Sequence, residues 1–572
     1  NNDDNNLKAR SDDKGPEPEA VAIVERGGSV FALIGLERVG GIMVYDMTDP
    51  ANPFLVNYVN NRNFNADPST PEALDSGVED IIYIDASQSP TGQELVVTAN
   101  EVSGTVTLFS ANDTSNDPDN FTLRLIHNND GESKLVPEEV GDFLVGGAAP
   151  FKSVVDQLKA DATPSMMLSS GDNFLAGIAF NASLNRGEGT RYYDAEVLDA
   201  LGYDALCIGN HDFDFGPDVL AKMINDFVVT QPPYLSANLD FSAEQSLQDL
   251  VDAGRIAPST IVDVDGEQIG VIGLTTDLLP TVSSPRGVTV DGDFLGIVQQ
   301  QVENLEDAGI NKIILITHLQ SINNEIELAR QLSGVDAIIA GGGDELLTND
   351  ESIALPGVSI FGEYPLMVEN ADGTETPIVT TPGEYRYVGN LILEFDGRGN
   401  LVNVGEESNP ILVADVAPDD FLQTTVVDSI IAYGENLENN IIARTEVELD
   451  GLRGSIRTME TNQGNLIADA FVWLAEQDFD ALGLDANIPL IGFQNGGGIR
   501  NDELIPAGSD ISEAKTFDML PFSNQVVILE PISHTQLKTA LENSVSNVEN
   551  VDGRFAQISG LEIVWDTAGM PG

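Results

Sequence analysis

The stretch Cys207-Ile208-Gly209-Asn210-His211-Asp212-Phe213-Asp214 sets an amide, an imidazole and two carboxylates directly behind an apolar run. Those are groups that bind metal ions or move protons. The chain has four histidines in all, and a second one, His318, closes another apolar run, Lys312-Ile313-Ile314-Leu315-Ile316-Thr317. Imidazoles this scarce, set at two strand ends, point to one shared site. Three more loops repeat the pattern: His127-Asn128-Asn129-Asp130-Gly131-Glu132, Ser169-Ser170-Gly171-Asp172-Asn173 and Ala340-Gly341-Gly342-Gly343-Asp344-Glu345. Any single loop is weak evidence, because Gly-Asp and Asn-His pairs are ordinary turn residues; five in order are specific. The chemistry such a set can do is hydrolysis at two divalent cations, which sit roughly 3.5–4 Å apart and need a bridging carboxylate plus terminal ligands. Asp172 is the bridging candidate.

The elements that must hold these loops follow from the apolar runs. Strands are predicted at 123–127, 165–169, 205–208, 234–238, 269–274, 312–317 and 337–340, with helices at 151–160, 192–201, 218–227 and 325–332 between several of them. Alternation of that kind places ligands at the carboxyl edge of a sheet. Strand-rich segments at 377–379 and 385–395 follow, then a helix at 421–437 that bridges to a last α/β region starting near Ile441. Asp263-Val264-Asp265-Gly266 and Asp291-Gly292-Asp293 read as hairpin turns, too short for calcium loops. Ahead of all this, segments 19–45 and 79–109 each read strand, turn, strand, Glu-containing turn, strand, the spacing of propeller blades. Two blades close no ring, so a longer parent chain is expected upstream.

Composition bounds the rest. At 572 residues, 42% of them hydrophobic and 54 of them Gly, the chain is globular and too long for one core. No stretch approaches the roughly 20 apolar residues of a membrane span. Starting at Asn1 without Met, it reads as a processed or partial chain. Against 26 basic residues stand 93 acidic ones, a net charge of −67. Such a surface repels nucleic-acid polymers and suits a saline, extracellular setting, with most carboxylates serving solvation. The single cysteine, Cys207, excludes an intrachain disulfide and fits a small buried hydrophobe.

With these motifs in view, the region from Leu123 to about Asp396 resembles the calcineurin-like metallophosphatase domain of the 5′-nucleotidase family. From about Ile441 the chain resembles that family's C-terminal nucleotide-binding domain, on Arg457-Thr458-Met459-Glu460-Thr461-Asn462-Gln463-Gly464-Asn465, Asn495-Gly496-Gly497-Gly498-Ile499-Arg500, Pro521-Phe522-Ser523-Asn524 and Gln557-Ile558-Ser559-Gly560-Leu561. The N-terminal repeats resemble the end of a propeller-like choice-of-anchor module. The implied fold is multidomain α/β (α+β). A polar segment 1–14 leads into a partial all-β propeller-like fragment at 15–118. A four-layer αββα metallophosphatase sandwich follows at 119–416, a linker helix at 417–440 and an α/β substrate-binding domain at 441–572.

The resemblance also implies roles. Asp172 would bridge two divalent metal ions, Asp130 would bind the first, and Asn210 and His318 the second. His211 would stabilise the transition state and assist the leaving group, oriented by Asp214. Arg457 and Arg500 would hold phosphate or carboxylate oxygens, Phe522 would stack on the base, and Asn495 and Gly497 would line its place. Three departures stand out. Glu132 occupies a place the family usually gives to His. Gly343 stands where a second-metal His would be, with Asp344 as its substitute, and Glu345 would join Asp130, Glu132 and Asp172 around the first metal. The family's later aromatic plus Gly-Gly-Asp-Gly segment does not occur before Gly572, so either the base clamp is incomplete or the end of the chain is missing. Carboxylates in place of imidazoles favour a hard first cation, Mn, Mg, Ca or Fe, beside a second that is Zn, Mn, Co or Fe.

Plainer readings compete for some of these residues. Glu132, Asp344 and Glu345 could be solvated surface carboxylates, and Phe522 could be core. His127 reads as a core residue or one that backs the site, and His534 as a surface or cap residue. The function implied is a secreted or cell-surface bacterial 5′-nucleotidase, or a periplasmic one, that attacks phosphorus in line with hydroxide held by the metals. Its partner is a nucleotide or other phosphomonoester, and rotation of the C-terminal domain about the linker helix brings that substrate to the metals. The alternatives are a broad alkaline phosphatase or a (cyclic) phosphodiesterase, and a surface or matrix-associated adhesion protein with a degenerate phosphatase domain.

Overall fold

The computed structural model describes residues 15–110, 120–477, 489–522, 526–529 and 532–565, apart from 27–28, 49, 51–52, 65, 68–69, 87, 90–93 and 188. Residues 1–14, expected to be disordered or a linker, and the segment 112–120, whose composition reads as a linker, lie outside the described residues apart from Asn120. The chain divides into two compact units, Asn1–Asn120 and Phe121–Gly572.

In the first unit, strands Pro18–Arg26, Ser29–Leu36, Ile42–Asp46 and Phe54–Val59 form one antiparallel sheet. Val78–Ile84, Leu95–Asn100 and Thr105–Ser110 form another. Period-two alternation sends Ala20 and Val24 into a small core with Leu33, Ile42, Val78, Ile81 and Val96, and leaves Val21 and Ile23 exposed. The unit is strand-rich, and its propeller reading rests on this strand pattern alone.

The second unit is built on two larger sheets. In the first, Phe121–Asn128, Ser165–Ser169, Ala205–Cys207, Tyr234–Leu235 and Ile256–Ala257 run parallel, while Tyr387–Phe395 pairs antiparallel with Phe121–Asn128. In the second, Glu267–Thr275, Ile313–His318, Ala337–Ile339 and Glu375–Val379 run parallel, with Ser259–Val264 and Leu366–Glu369 antiparallel at the edges. Alternate residues show how the layers stack. Leu123, Leu125, Met166, Leu168, Ala205, Cys207 and Leu235 pack with Val271, Ile314, Ile316 and Ile339 of the other sheet. Their neighbours Ile126, Met167, Leu206 and Tyr234 face the opposite way, onto helices such as Ala148–Lys159 and Tyr193–Leu201. Helices Phe294–Asp307 and Ile322–Ala329 cover the far side of the second sheet. Strands buried on both faces are apolar without interruption, which is why they were legible as runs.

Some elements differ from the sequence reading. The strand expected over 234–238 stops at Leu235. Beyond it, Asn238 donates its side-chain amide to the Thr275 carbonyl at 2.7 Å and accepts from the Thr275 N–H at 2.9 Å, replacing the ladder. Asp291-Gly292-Asp293 is not a hairpin turn: Asp293 caps the helix Phe294–Asp307, accepting from the Gly296 N–H at 3.1 Å. Asp265-Gly266 does turn a hairpin, both residues at positive φ (56° and 92°), as a two-residue turn of the I′ kind requires.

The bridging helix runs as Asp420–Leu422, a π-turn at Gln423–Val427, and Asp428–Asn439. Its Leu422, Val426, Val427 and Ile430 pack into the first sheet's helical layer. Its far end reaches the C-terminal domain, where the Asn440 side chain donates to Glu513 at 2.8 Å. That domain pairs Ile441–Arg444 with Asp510–Ser512, Leu449–Asp450 with Leu504–Ile505, and Gly492–Asn495 with Ala556–Ser559. The last pair packs on the helix Asn462–Gln477.

Candidate metal centre and anion pocket

Both sheets deliver their loops to one edge. Asp130 and Asp172 follow the parallel strands Phe121–Asn128 and Ser165–Ser169, Asn210 and His211 follow Ala205–Cys207, and His318 ends Ile313–His318. Backbone bonds tie the loops together: the Asp130 N–H donates to the Gly171 carbonyl at 3.0 Å, the Glu132 N–H to the Asp172 carbonyl at 3.1 Å, and the Leu319 N–H to the Gly341 carbonyl at 3.2 Å. Asp130, Glu132 and Asp172 all have φ near +50°, a region non-glycine residues seldom occupy and one that concentrates at functional sites. Gly209 is required by close approach, since a Cβ there would lie 2.1 Å from Asp172 Oδ1.

Asp172 belongs to two clusters. Asp130, Asp172 and His318 offer ligand atoms within 4.8 Å of one another, as do Glu132, Asp172 and His211. His318 Nδ1 lies 2.8 Å from the Ser170 carbonyl, which can only accept, so Nδ1 carries a hydrogen. In the neutral ring the Nε2 lone pair then faces Asp172 Oδ2 at 3.0 Å, Asn210 Oδ1 at 3.0 Å and Asp130 Oδ1 at 4.0 Å. Lone pairs so arranged repel one another unless a positive charge sits among them. That charge is a proton on His318 or a metal cation. Burial opposes the proton, but Asp172 and Asp130 push the His318 pKa up to about 10.

The carboxylates report the same excess. Burial, opposed by His318 and reinforced by Asp172, pushes Asp130 up to about 6. Burial together with Asp130 and Asp172 pushes Glu132 up to about 8. Asp172 is held below the ordinary carboxylate value, because His318 and His211 outweigh its burial. The pocket concentrates more negative charge than its imidazoles offset, a condition divalent cations relieve. The donor set therefore fits such ions, with Asp172 between the two places.

His211 donates its backbone N–H to Asp172 Oδ1 at 2.7 Å, and its Nδ1 lies 2.7 Å from Asp214 Oδ2. Burial works against its charge, but Asp172, the Asp214 hydrogen bond and Glu132 raise its pKa to about 10. The structure leaves two expected ligands outside both clusters. Asp344 is exposed, and Glu345 accepts from the Ile322 N–H at 3.2 Å, capping the helix Ile322–Ala329. His127 is fully buried in core, 2.8 Å from the Tyr364 hydroxyl, and burial lowers its pKa to about 3.

Sequence reading missed several participants. Gln320 donates to Asn210 Oδ1 at 2.6 Å, and its position two residues past His318 was a usable signal. Ser283 donates to Asp214 Oδ1 at 2.7 Å from 69 residues away, for which the sequence carries no signal. Asp212, fully buried, accepts from the Gly209 and Asn173 N–H groups and so fixes the loop that carries Asn210 and His211.

In the C-terminal domain, the Arg500 guanidinium lies 5.3 Å from the Phe522 ring centre. Arg457 is 7% exposed, and burial plus the charges of Arg453 and Arg500 depress its pKa. Arg453 is a further member that sequence reading passed over. Three arginines gathered in a chain with 26 basic residues make a local anion site. Asn495 and Gly497 both donate to the Gly553 carbonyl, at 3.3 and 2.7 Å, and fold the glycine loop beneath that site. A cleft of about 700 Å³ is lined by Glu132 on one side, Arg500 and Phe517 on the other, and Ile430 of the bridging helix.

Two facing sheets with carboxylates and imidazoles at a shared edge, joined to a domain with an arginine pocket, define a metal-dependent phosphoric-ester hydrolase. Residues 441–572 match the 5′-nucleotidase C-terminal domain, and residues 1–50 match the choice-of-anchor I domain. The chain is 30% identical over 465 residues to a 5′-nucleotidase of Bos taurus, covering 79% of this chain and 77% of that protein. It is 30% identical over 504 residues to the trifunctional nucleotide phosphoesterase protein YfkN of Bacillus subtilis, covering 83% of this chain and 31% of that longer protein. A solved 5′-nucleotidase precursor from Thermus thermophilus superposes with a TM-score of 0.59 at 32% identity, covering 77% of this chain and 81% of that one. The chain belongs to the 5′-nucleotidase family.

Proposed function

We propose that this protein is a 5′-nucleotidase that releases phosphate from nucleoside 5′-monophosphates outside the cell. The observation that carries the reading is the Asp172 crossroads, where the Nε2 lone pair of His318, held by the Ser170 carbonyl, converges with two carboxylates and the Asn210 amide oxygen. Asp130, Glu132 and Asp172 would hold a first cation, of the Mn, Mg, Ca or Fe kind, and Asp172, Asn210 and His318 a second, Zn, Mn, Co or Fe. Bound there, such ions supply Lewis acidity and a water of lowered pKa.

The chain's own residues do the rest. Arg500 and Arg457 take the anionic groups of the substrate through charge-assisted hydrogen bonds. Phe522, already stacked against Arg500, offers a face to the base. His211 Nε2 points its hydrogen at the departing ester oxygen, while Asp214, itself held by Ser283, keeps the ring oriented. The interdomain cleft gives the nucleotide a path between arginines and carboxylates. The similarity to a snake venom 5′-nucleotidase of Gloydius brevicauda and the net charge of −67 support an extracellular, saline setting. No helix among the described residues is long and apolar enough to cross a membrane.

One preparation tests the reading: elemental analysis together with turnover of AMP, para-nitrophenyl phosphate and a bis-ester, before and after chelation. Two divalent ions per chain, AMP as the preferred substrate and loss of activity on chelation are expected. AMP left intact, or activity indifferent to chelation, overturns it.

A further inference from the structure

Gln320 has no role in the reaction described above, yet its placement is demanding. Its backbone lies in the left-handed region, φ 72°, which a long side chain seldom adopts. Its carboxamide lies 2.6 Å from Asn210 Oδ1, the same oxygen that stands 3.0 Å from His318 Nε2. The amide of Gln320 therefore closes a triangle on the two side chains assigned to the second cation. The facing loop is thinned to make room: Gly342 has φ 84°, and a Cβ there would lie 2.7 Å from Gln320 Nε2 and 2.8 Å from His318 Nε2. That loop sends no donor of its own, since Asp344 is exposed and Glu345 caps a helix. A half-turn about the last side-chain bond of Gln320 exchanges its two ends and presents Oε1, a neutral hard donor, to the place where the three groups meet.

We propose that Gln320 is a direct oxygen ligand of the second cation, completing with Asp172, Asn210 and His318 a set of three oxygens and one nitrogen that favours manganese over zinc. This rests on the two-cation reading of the site. The test is Mn(II) binding to the full chain, followed by calorimetry and pulsed EPR, in wild type, Gln320→Asn and Gln320→His. Asn keeps the amide and tolerates the left-handed backbone but is one methylene short. Wild type is expected to take up two ions, and Gln320→Asn to hold one unchanged and the other roughly 10–100-fold more weakly. Gln320→His should add a second imidazole nitrogen coupling to the bound Mn(II) and shift that place toward zinc. Unchanged binding of both ions by Gln320→Asn, or an unchanged nitrogen coupling in Gln320→His, overturns the proposal and leaves the two-cation reading standing. A wild-type chain that binds fewer than two ions overturns both.

Discussion

His211 owes its charge to its neighbours. Without bound cations, Asp172 and Asp214 together outweigh its burial, and the Asp214 contact on Nδ1 leaves Nε2 free to face the ester oxygen. Replacing it with Ala should lower kcat for AMP by roughly 10²–10⁴-fold with little change in KM, because the proton is needed as the ester bond breaks and not for binding. Steady-state kinetics decide this, and an unchanged kcat rejects the role. A different buried group carries a pH signature. Asp194 is fully buried, and its desolvation, only partly offset by Ser133 and its own N–H, raises its pKa to about 7. The folded chain thus keeps a proton that the unfolded chain releases near its ordinary value of 3.8, so stability from this group is complete below that value and falls as pH rises toward 7. Asp194→Asn should remove a loss of about 3 kcal/mol between pH 5 and pH 8, at roughly 1.4 kcal/mol per unit. Thermal melts at the two pH values check it: the variant's advantage must grow with pH. At this scale the sequence was legible where chemistry and position coincide, as at Asp130, Asp172, Asn210 and His318 behind apolar runs. It was silent where a distant side chain supports another, as Ser283 does for Asp214.

Glu345 shows how an element decides a residue's task. The helix Ile322–Ala329 begins at Ser321, whose side chain makes no capping bond, and the first N–H is satisfied by Glu345 from another loop. A carboxylate at a helix N-terminus satisfies an orphan donor and meets the positive end of the helix dipole. Glu345→Ala should therefore cost about 1 kcal/mol of stability while leaving metal stoichiometry as it was. Melting curves paired with elemental analysis separate the outcomes, and a lost ion without a stability change would restore Glu345 as a ligand. The same cap explains why that helix begins before the expected residue 325: the partner lies 23 residues away and local pattern cannot reveal it. Central strands such as Ser165–Ser169 were legible to the residue because burial on both faces leaves an unbroken apolar run. Edge strands such as Leu366–Glu369 and Leu401–Val404, half exposed and mixed in character, carry no such signal.

For the molecule as a whole, a net charge of −67 confronts an anionic substrate with a repulsive field before it meets any arginine. Two electrostatic effects then compete. The attraction of Arg457 and Arg500 acts at contact distance, whereas the repulsion of the acidic surface acts over many ångströms. Salt separates them, because the screening length falls from about 10 Å at 0.1 M to about 3 Å at 1 M. Long-range repulsion is removed first, and contact hydrogen bonds in a partly buried pocket are removed last. Raising NaCl from low ionic strength toward about 0.5 M should therefore increase kcat/KM for AMP, opposite to the usual behaviour of an enzyme steered toward an anion. The melting temperature should rise in parallel, as self-repulsion of the folded chain is screened. Replacing Arg500 with Ala should lower kcat/KM at every salt concentration yet keep the upward slope, since the slope belongs to the surface and the offset to the pocket. Kinetics across a NaCl series, repeated with KCl to exclude an ion-specific effect, measure both. A kcat/KM that falls steadily with salt would mean that the arginines and bound cations, and not the acidic surface, govern the approach of the nucleotide.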